Sequence, residues 1–347
     1  MRPFAYRRPT SAESAVLASQ AAVAAGRARS AGDLVPSSVP GQFIAGGTNM
    51  TDYMTLGVVQ PSVLVDINSL PARYKQIHSS DQGLRFGALV RMSEAEDHPA
   101  VQRDYPVIQQ ALQLAASRQI RNMASLGGNV LQRTRCEYFR ETSWPCNKRS
   151  PGAGCAAFDG MNREHAVLGT SDQCIATYHG DFAQALIALD AIVETVGHPS
   201  GPRRFAFADL HRLPGATPHL ETTLLPGELI TFLDVPAGPW CRRSRYLKVR
   251  DRRSYQFAIS SAAVAVDLAG DVVRTARIAL GGVATVPWRA REAEAFLQGK
   301  PLNEQAATAA ADLAFKEART REHNAFKVPV GKQTLIRALL EIGSMQV

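Results

Sequence analysis

The chain is predicted to be an α+β protein, and three observations lead there. Its first third mixes short β-branched strand patterns with helical apolar spacing. Its last hundred or so residues run as alternating strands followed by helices. Between the two styles lies GPWCRRSR (238 to 245), which reads as a boundary. A length of 347 residues suffices for two or three domains with cores of their own, so no covalent staple is needed to hold a small fold together.

Taken in order, SAESAVLASQAAVAAGRARSAG (11 to 32) has helical composition and ends in glycine. VPSSVPGQ (35 to 42) is a linker. FIAGGTNM (43 to 50) is a short strand entering a glycine turn. SVLVDI (62 to 67) and GLRFGALV (83 to 90) are strands bounded by Asn, Gly and Pro. From Ser93 to Met123 the apolar spacing is helical, broken at Pro99 and Pro106. ASLGGNVLQR (124 to 133) is a second glycine turn. DFAQALIALDAIVETV (181 to 196) starts helical and becomes a strand, Gly197 to Gly201 turn a hairpin, and LLPGELITFLDVP (224 to 236) is a strand closed by Pro236. Beyond the boundary, RYLKVR, AISSAAVAVDLAG and TARIALGGVA are strands, while EAEAFLQG and NEQAATAAADLAFKEA are helices. The organisation expected is a first domain over 1–240, divided near residue 65, and a second over 242–345. No repeat of fixed period is present.

Composition narrows the function classes. Hydrophobic residues at 45% and charged residues at 20% are ordinary for a globular protein, and no apolar run reaches the roughly 20 residues of a membrane span. The amino terminus carries Arg7 and Arg8 but lacks the apolar core and cleavage site of a secretory signal. A net charge of +8 invites a nucleic-acid reading, but the charge is dispersed. Its densest cluster, Arg242 to Arg253, alternates with apolar residues as a strand does. Solubility, partner docking or an anionic cofactor explains it better.

AGGTN (45 to 49) and SLGGN (125 to 129) each follow an apolar stretch and each end in Asn. Paired glycines let backbone N–H groups approach an anion together, which is how a pyrophosphate is cradled without a lysine. Neither turn is a G-x-G-x-x-G fingerprint or a P-loop, which disfavours a standard nicotinamide or ATP site. Thr48, Asn49, Ser125 and Asn129 could add side-chain hydrogen bonds to phosphate or sugar.

Four of the five cysteines fall within 39 residues, as C-x9-C-x8-C-x18-C at Cys136, Cys146, Cys155 and Cys174. Four thiolates in a Pro- and Gly-rich loop suit an iron–sulfur cluster or a structural zinc. The absence of a C-x2-C pair counts against zinc ribbons and ferredoxin-type runs. Basic residues around the loop outnumber acidic ones, which would stabilise an anionic thiolate centre of either kind. Two disulfides, or four unrelated buried thiols, also stay open at this point. Cys241 reads as a packing residue at the boundary. His165 and His179 read as polar loop residues, Asp181 as a helix N-cap, and Lys248 as a solvated strand lysine.

Taken together, AGGTN and SLGGN resemble the two flavin-binding glycine motifs in the medium subunit of the molybdenum hydroxylases, the xanthine dehydrogenase and carbon monoxide dehydrogenase family. Asp181, Ile230 in GELITFLDVP and Lys248 in YLKVRDRRSYQFAISSAAVA fall where that family has further flavin contacts, and IALGGVA (278 to 284) resembles its C-terminal marker strand. The resemblance runs over nearly the whole chain. It implies a two-subdomain FAD-binding fold of the PCMH type, then a C-terminal antiparallel sheet plus helices of the CO dehydrogenase flavoprotein type. FAD contacts are implied at Phe43, Ile44, Ala45, Gly46, Gly47, Thr48, Asn49, Met50, Thr51, Ser125, Gly127, Gly128, Asn129, Asp181, Ile230 and Lys248, with no catalytic residue on this chain.

Most members pass quickly from the second glycine motif to the Asp, whereas here an inserted loop of about 133–178 carries the cysteines. That insertion is similar to the branch whose flavin subunit also holds a [4Fe–4S] cluster, as in 4-hydroxybenzoyl-CoA reductase. It is most similar to the flavin subunits of bacterial periplasmic aldehyde oxidases. Departures are His179-Gly180-Asp181, where the family often has a His-Pro-Ser-Asp or similar run, and residues 20 to 40, which are longer than in the family and would form a surface excursion before the first glycine loop. The resemblance implies Cys136, Cys146, Cys155 and Cys174 as cluster ligands. It also implies a heterotrimer, in which a molybdenum-cofactor large subunit oxidises an aldehyde and a [2Fe–2S] small subunit relays electrons. FAD on this chain would pass them to an external acceptor. Export to the periplasm with a signal-bearing partner is expected over a cytoplasmic location. Two other expectations are a self-sufficient FAD oxidoreductase and a zinc-stabilised binding module.

Overall fold

The computed structural model describes residues 1–25 and 35–346. The first helix spans Ala12–Ala25; its expected continuation to residue 32 lies outside the described residues, as does the 26–34 part of the excursion expected over 20–40, whose ends are instead helical (to Ala25) and tucked in, with Ser37 and Val39 buried. The Ser11 hydroxyl accepts the Ser14 amide at 3.1 Å, satisfying one amide that the first helical turn leaves unpaired.

Three sheets organise the chain. The first is parallel: β1 (Ala5–Arg7), β2 (Gly41–Ile44) and β3 (Val63–Asp66), in the order β1-β3-β2. Because β2 ends where AGGTN begins, the glycine loop leaves from the carboxyl end of a parallel strand, the usual side for ligands in such sheets. The second sheet is antiparallel: β4 (Ile77–Ser80), β5 (Gly83–Gly87), β6 (Ile192–Val196), β7 (Arg203–Ala206) and β8 (Leu229–Pro236), in the order β4-β5-β8-β6-β7. The third is antiparallel too: β9 (Ser244–Val249), β10 (Ser260–Ala269), β11 (Val272–Gly281) and β12 (Trp288–Arg289), in the order β12-β11-β10-β9.

The helices Pro106–Gln113 and Phe182–Ala188 lie between the second and third sheets. One core therefore joins Phe86, Leu233 and Val235 to Ala263, Ala265 and Ala279 across that layer. On the far face of the third sheet, Val264, Val266, Ile278 and Leu280 pack on the helices Glu304–Ala314 and Lys327–Gly343. β10 is buried from Ser260 to Val266, which explains its small, apolar composition: both faces are covered. The helix Lys327–Gly343 is not among the elements expected from sequence, although it carries the apolar stripe Leu335, Ile336, Leu339 and Ile342.

One expected element has a different form. SLGGN is a single helical turn, Leu126–Val130, because the Ser125 hydroxyl accepts the Gly128 amide at 3.2 Å and caps it. The inserted loop has little regular structure; its one helix is the short Glu137–Arg140. Among the described residues no helix is long and apolar enough to cross a membrane.

Candidate cofactor site

A cleft of about 1020 Å³ opens where the first sheet meets the second, at the upper end of the size of small-molecule sites. Phe43 to Met50 line one wall, Ser125 and Gly127 to Asn129 another, and Asp181 and Ile230 the floor. Fourteen of the sixteen residues expected at the flavin thus face one cavity, counting Phe43 to Met50 as eight, Ser125 and Gly127 to Asn129 as four, and Asp181 and Ile230 as two.

Thr51 and Lys248 are not on the lining. Thr51 is the second residue of the helix Met50–Thr55, where its hydroxyl donates to the Gly47 carbonyl at 2.7 Å and braces the glycine loop. Lys248 lies beneath the floor with its side chain 1% exposed. Its ammonium donates to Asp181 at 2.8 Å and to the Leu114 carbonyl at 3.0 Å. It is a buried ion-pair partner and not a solvated strand lysine. Asp181 likewise makes no side-chain cap to the helix that follows it. Its carboxylate is held by Lys248 and by the Tyr246 hydroxyl at 2.6 Å, because burial leaves it no water to satisfy it.

The two glycine motifs differ in their amides. In AGGTN the backbone N–H groups of Gly46, Gly47, Thr48 and Asn49 meet no acceptor among the described residues. Gly47 is left-handed, with φ +76°, a conformation that glycine adopts without strain. At Gly46 a Cβ would stand 1.8 Å from the Met123 carbonyl oxygen, so only glycine lets the loop pass this close to the helix Arg118–Met123. Four consecutive unpaired amides on a cleft wall suit the oxygens of a pyrophosphate. SLGGN corrects the expectation of a second such cradle: Leu126, Gly127, Gly128 and Asn129 donate to Val90, Ala88 and Ser125. What it offers the cleft is the Asn129 carboxamide oxygen, buried and without a donor. An orphaned acceptor of that kind suits a ligand N–H.

The cysteines meet in a second, smaller cavity. Cys136, Cys146, Cys155 and Cys174 line it together, Cys146 and Cys155 sit opposite each other in an isolated antiparallel bridge, and all five cysteines of the chain are free thiols. Burial, with repulsion from Cys174 and Cys146, pushes the Cys155 thiol up to about 11. Burial also raises Cys136 and Cys174. Among the described residues no three His, Cys, Asp or Glu side chains converge tightly enough to hold one metal ion.

His165 is buried, with Nε2 3.2 Å from the Cys136 sulfur. His179 is buried too, accepting the Arg135 amide on Nδ1 at 3.3 Å and packing on Phe257. Neither is a free polar loop residue. Cys241 packs in the main core.

The two cavities share a wall. Lys148 and Ala176 line both. The Lys148 ammonium lies 3.1 Å from Glu221 and donates to the Pro218 carbonyl at 3.0 Å. Glu221 is paired with Arg133 as well; burial works to raise its pKa, but the two cations outweigh burial and hold it below the usual range. Sequence reasoning missed Lys148 in this role. It also missed Ala116, left-handed at φ 45° on the cleft lining, and Phe257 at the mouth. None of these carries a local motif.

A chain with a parallel glycine-loop sheet, a large cleft walled by unpaired amides and an antiparallel C-terminal sheet is a nucleotide-cofactor-binding subunit. Comparison with known proteins gives the particular family. Residues 4–238 match the family described as the FAD binding domain in molybdopterin dehydrogenase, and residues 245–342 match the CO dehydrogenase flavoprotein C-terminal domain. The aldehyde oxidoreductase FAD-binding subunit PaoB of Escherichia coli is 43% identical over 342 residues, covering 98% of both chains. The medium chain of carbon monoxide dehydrogenase from Hydrogenophaga pseudoflava is 27% identical over 79% of this chain and 77% of its own. The solved carbon monoxide dehydrogenase from that organism superposes with a TM-score of 0.70 at 25% identity, over 98% of this chain and 96% of the other. The chain belongs to the FAD-binding medium subunits of the molybdenum hydroxylases, and is thus an oxidoreductase subunit of the aldehyde oxidoreductase and xanthine dehydrogenase family.

Proposed function

We propose that this chain is the electron-transfer subunit of a molybdenum-containing aldehyde oxidoreductase, holding FAD in the cleft and a [4Fe–4S] cluster on Cys136, Cys146, Cys155 and Cys174. A molybdenum-cofactor large subunit and a [2Fe–2S] small subunit are its partners, and an external acceptor takes the electrons. The observation that carries the reading is the shared wall: the four-thiol cavity adjoins the cleft through Lys148 and Ala176, so a centre held by those thiols lies beside the FAD. Likeness along the whole chain to a subunit named for aldehyde oxidoreductase supports the substrate class.

Bound FAD supplies one- or two-electron exchange. The chain's own residues bind and orient it: the Gly46 to Asn49 amides face its pyrophosphate, Asn129 offers an acceptor, and the Lys248–Asp181 pair fixes the floor. The FAD-binding unit corresponds to about 1–240 and the C-terminal unit to 242–345. Export with a signal-bearing partner accompanies this reading, and fractionation of the native host tests it.

Anaerobic purification with the neighbouring subunits, followed by absorption spectroscopy and analysis of iron, sulfide, zinc and flavin, tests the proposal. Flavin bands over a broad iron–sulfur absorption, with about four irons per chain beyond those of the small subunit, are expected. A chain with stoichiometric zinc and no iron would sink the cluster. Aldehyde oxidation by the isolated chain would favour a self-sufficient enzyme.

A further inference from the structure

The helix Met50–Thr55, which continues directly from AGGTN, is fastened to the cysteine loop on three of its residues or their neighbours. Arg140 grips Asp52 with both guanidinium nitrogens, at 2.6 and 2.9 Å. Arg135, the residue before Cys136, donates to the Asn49 carboxamide oxygen at 2.7 Å and to the Tyr53 hydroxyl at 2.8 Å. Tyr53 packs with Phe139 and Cys146 in one small core, against which Met50 and Cys136 also lie. Asn49, the last residue of the loop whose four free amides line the cleft, and the helix that follows it thus take their position from side chains that lie between and beside the thiols.

The inserted loop has almost no regular structure of its own, and a long irregular loop is ordered only by what it packs on or binds. Within it, Arg149 donates to the Tyr138 and Phe139 carbonyls at 2.9 and 2.6 Å, so the segment bearing Arg140 is tied to the segment following Cys146. Anything that draws the four cysteines together also sets Arg135 and Arg140. In contrast, Arg163, the loop's outer cation, pairs with Asp251 where both side chains are 44% exposed, away from the glycine loop.

We propose that Arg135 and Arg140 are positioning residues that couple the two sites, holding the AGGTN loop in its FAD-binding form when the cysteine loop is assembled around its cluster. The coupling is reciprocal by linkage: FAD favours the assembled loop as the assembled loop favours FAD. This rests on the cluster reading above, and the experiment separates the two. FAD dissociation constants and iron content are measured on the purified complex carrying Asp52→Ala, Arg140→Ala, both together, or the exchanged pair Asp52→Arg with Arg140→Asp.

Each single variant is expected to weaken FAD binding about fivefold, the low end of measured couplings between sites. The double variant is expected to be no weaker than either single one, and the exchanged pair to regain most of the loss. Asp52→Ala lies outside the cysteine loop and keeps its iron, so its loss of FAD cannot come from a damaged ligand set. The readout that a merely structural role would not move is the reverse arm: adding FAD to the flavin-stripped complex slows iron release to a chelator in the native protein and does so less in Asp52→Ala, where only the Arg135 contacts remain. Unchanged FAD affinity in both single variants, with iron present, overturns the coupling; so does additive loss in the double variant. A native complex with no iron on this chain overturns the cluster reading instead.

Discussion

AGGTN and SLGGN are nearly the same word, two glycines between a small residue and an asparagine, yet they meet the cleft in opposite ways. In the first, four amides are unpaired and Gly47 turns left-handed. In the second, a serine cap starts a helical turn and every amide from Leu126 to Asn129 is spent within the chain. A glycine pair by itself says that the backbone can come close to something. Whether its N–H groups are left for a ligand depends on what caps the turn: Ser125 supplies an acceptor to its own motif, while Asn49 turns its acceptor outward to Arg135.

The contrast can be broken most sharply at Gly46. Gly46→Ala puts a Cβ into the Met123 carbonyl and displaces the loop. An overpacking cost of about 1–3 kcal/mol, if borne by binding, should raise the FAD dissociation constant about five- to 150-fold, read by flavin titration of stripped protein; FAD bound as tightly as in the native chain would contradict the cradle. Next in size is Asn129→Ala. Removing a buried acceptor that meets FAD should cost about 1 kcal/mol of binding, roughly fivefold in affinity, with thermal stability almost unmoved. An unchanged affinity would leave the orphaned oxygen without a ligand role.

Thr51→Ala removes the brace on the Gly47 carbonyl. Because that carbonyl keeps the Thr51 amide at 3.0 Å and water can replace the exposed hydroxyl, the expected loss is about 0.5 kcal/mol, a two- to threefold weakening seen in the same titration. The smallest effect belongs to Gly128→Ala. Its Cβ would meet only the Ser125 hydroxyl, at 3.0 Å, and the gain in helix propensity of up to about 1 kcal/mol offsets that crowding. FAD affinity within twofold of the native value is expected. A loss as complete as that of Gly46→Ala would mean that the two motifs are used alike after all.

Local sequence carried much of the fold because the signals were local. Strands bounded by Pro and Gly, helices broken at Pro99 and Pro106, and the strand run after GPWCRRSR are all set by neighbours a few residues apart. The helix Lys327–Gly343 was readable from its apolar stripe and was missed, since a proline in its first turn looks like a stop when it stands where a helix tolerates one. Asp181 and Lys248 show the other case. Read alone, one is a helix cap and the other a surface lysine; in the fold they are 67 residues apart and joined at 2.8 Å under the cleft floor.

What the sequence by itself determined is the inventory: two glycine motifs in order, which carry the likeness to the family, four cysteines between the second motif and Asp181, and the strand and helix patterns around them. What only the tertiary structure decided is which polar groups are left over. Free amides at Gly46 to Asn49, an orphaned oxygen on Asn129, the Lys148 side chain between two cavities and the Arg140 grip on Asp52 are all differences between what a residue offers and what its distant neighbours take up. Hydrogen-bonding capacity is written in the residue type, but its satisfaction is a property of the folded whole, and the cofactor site is built from the part that folding leaves unpaired.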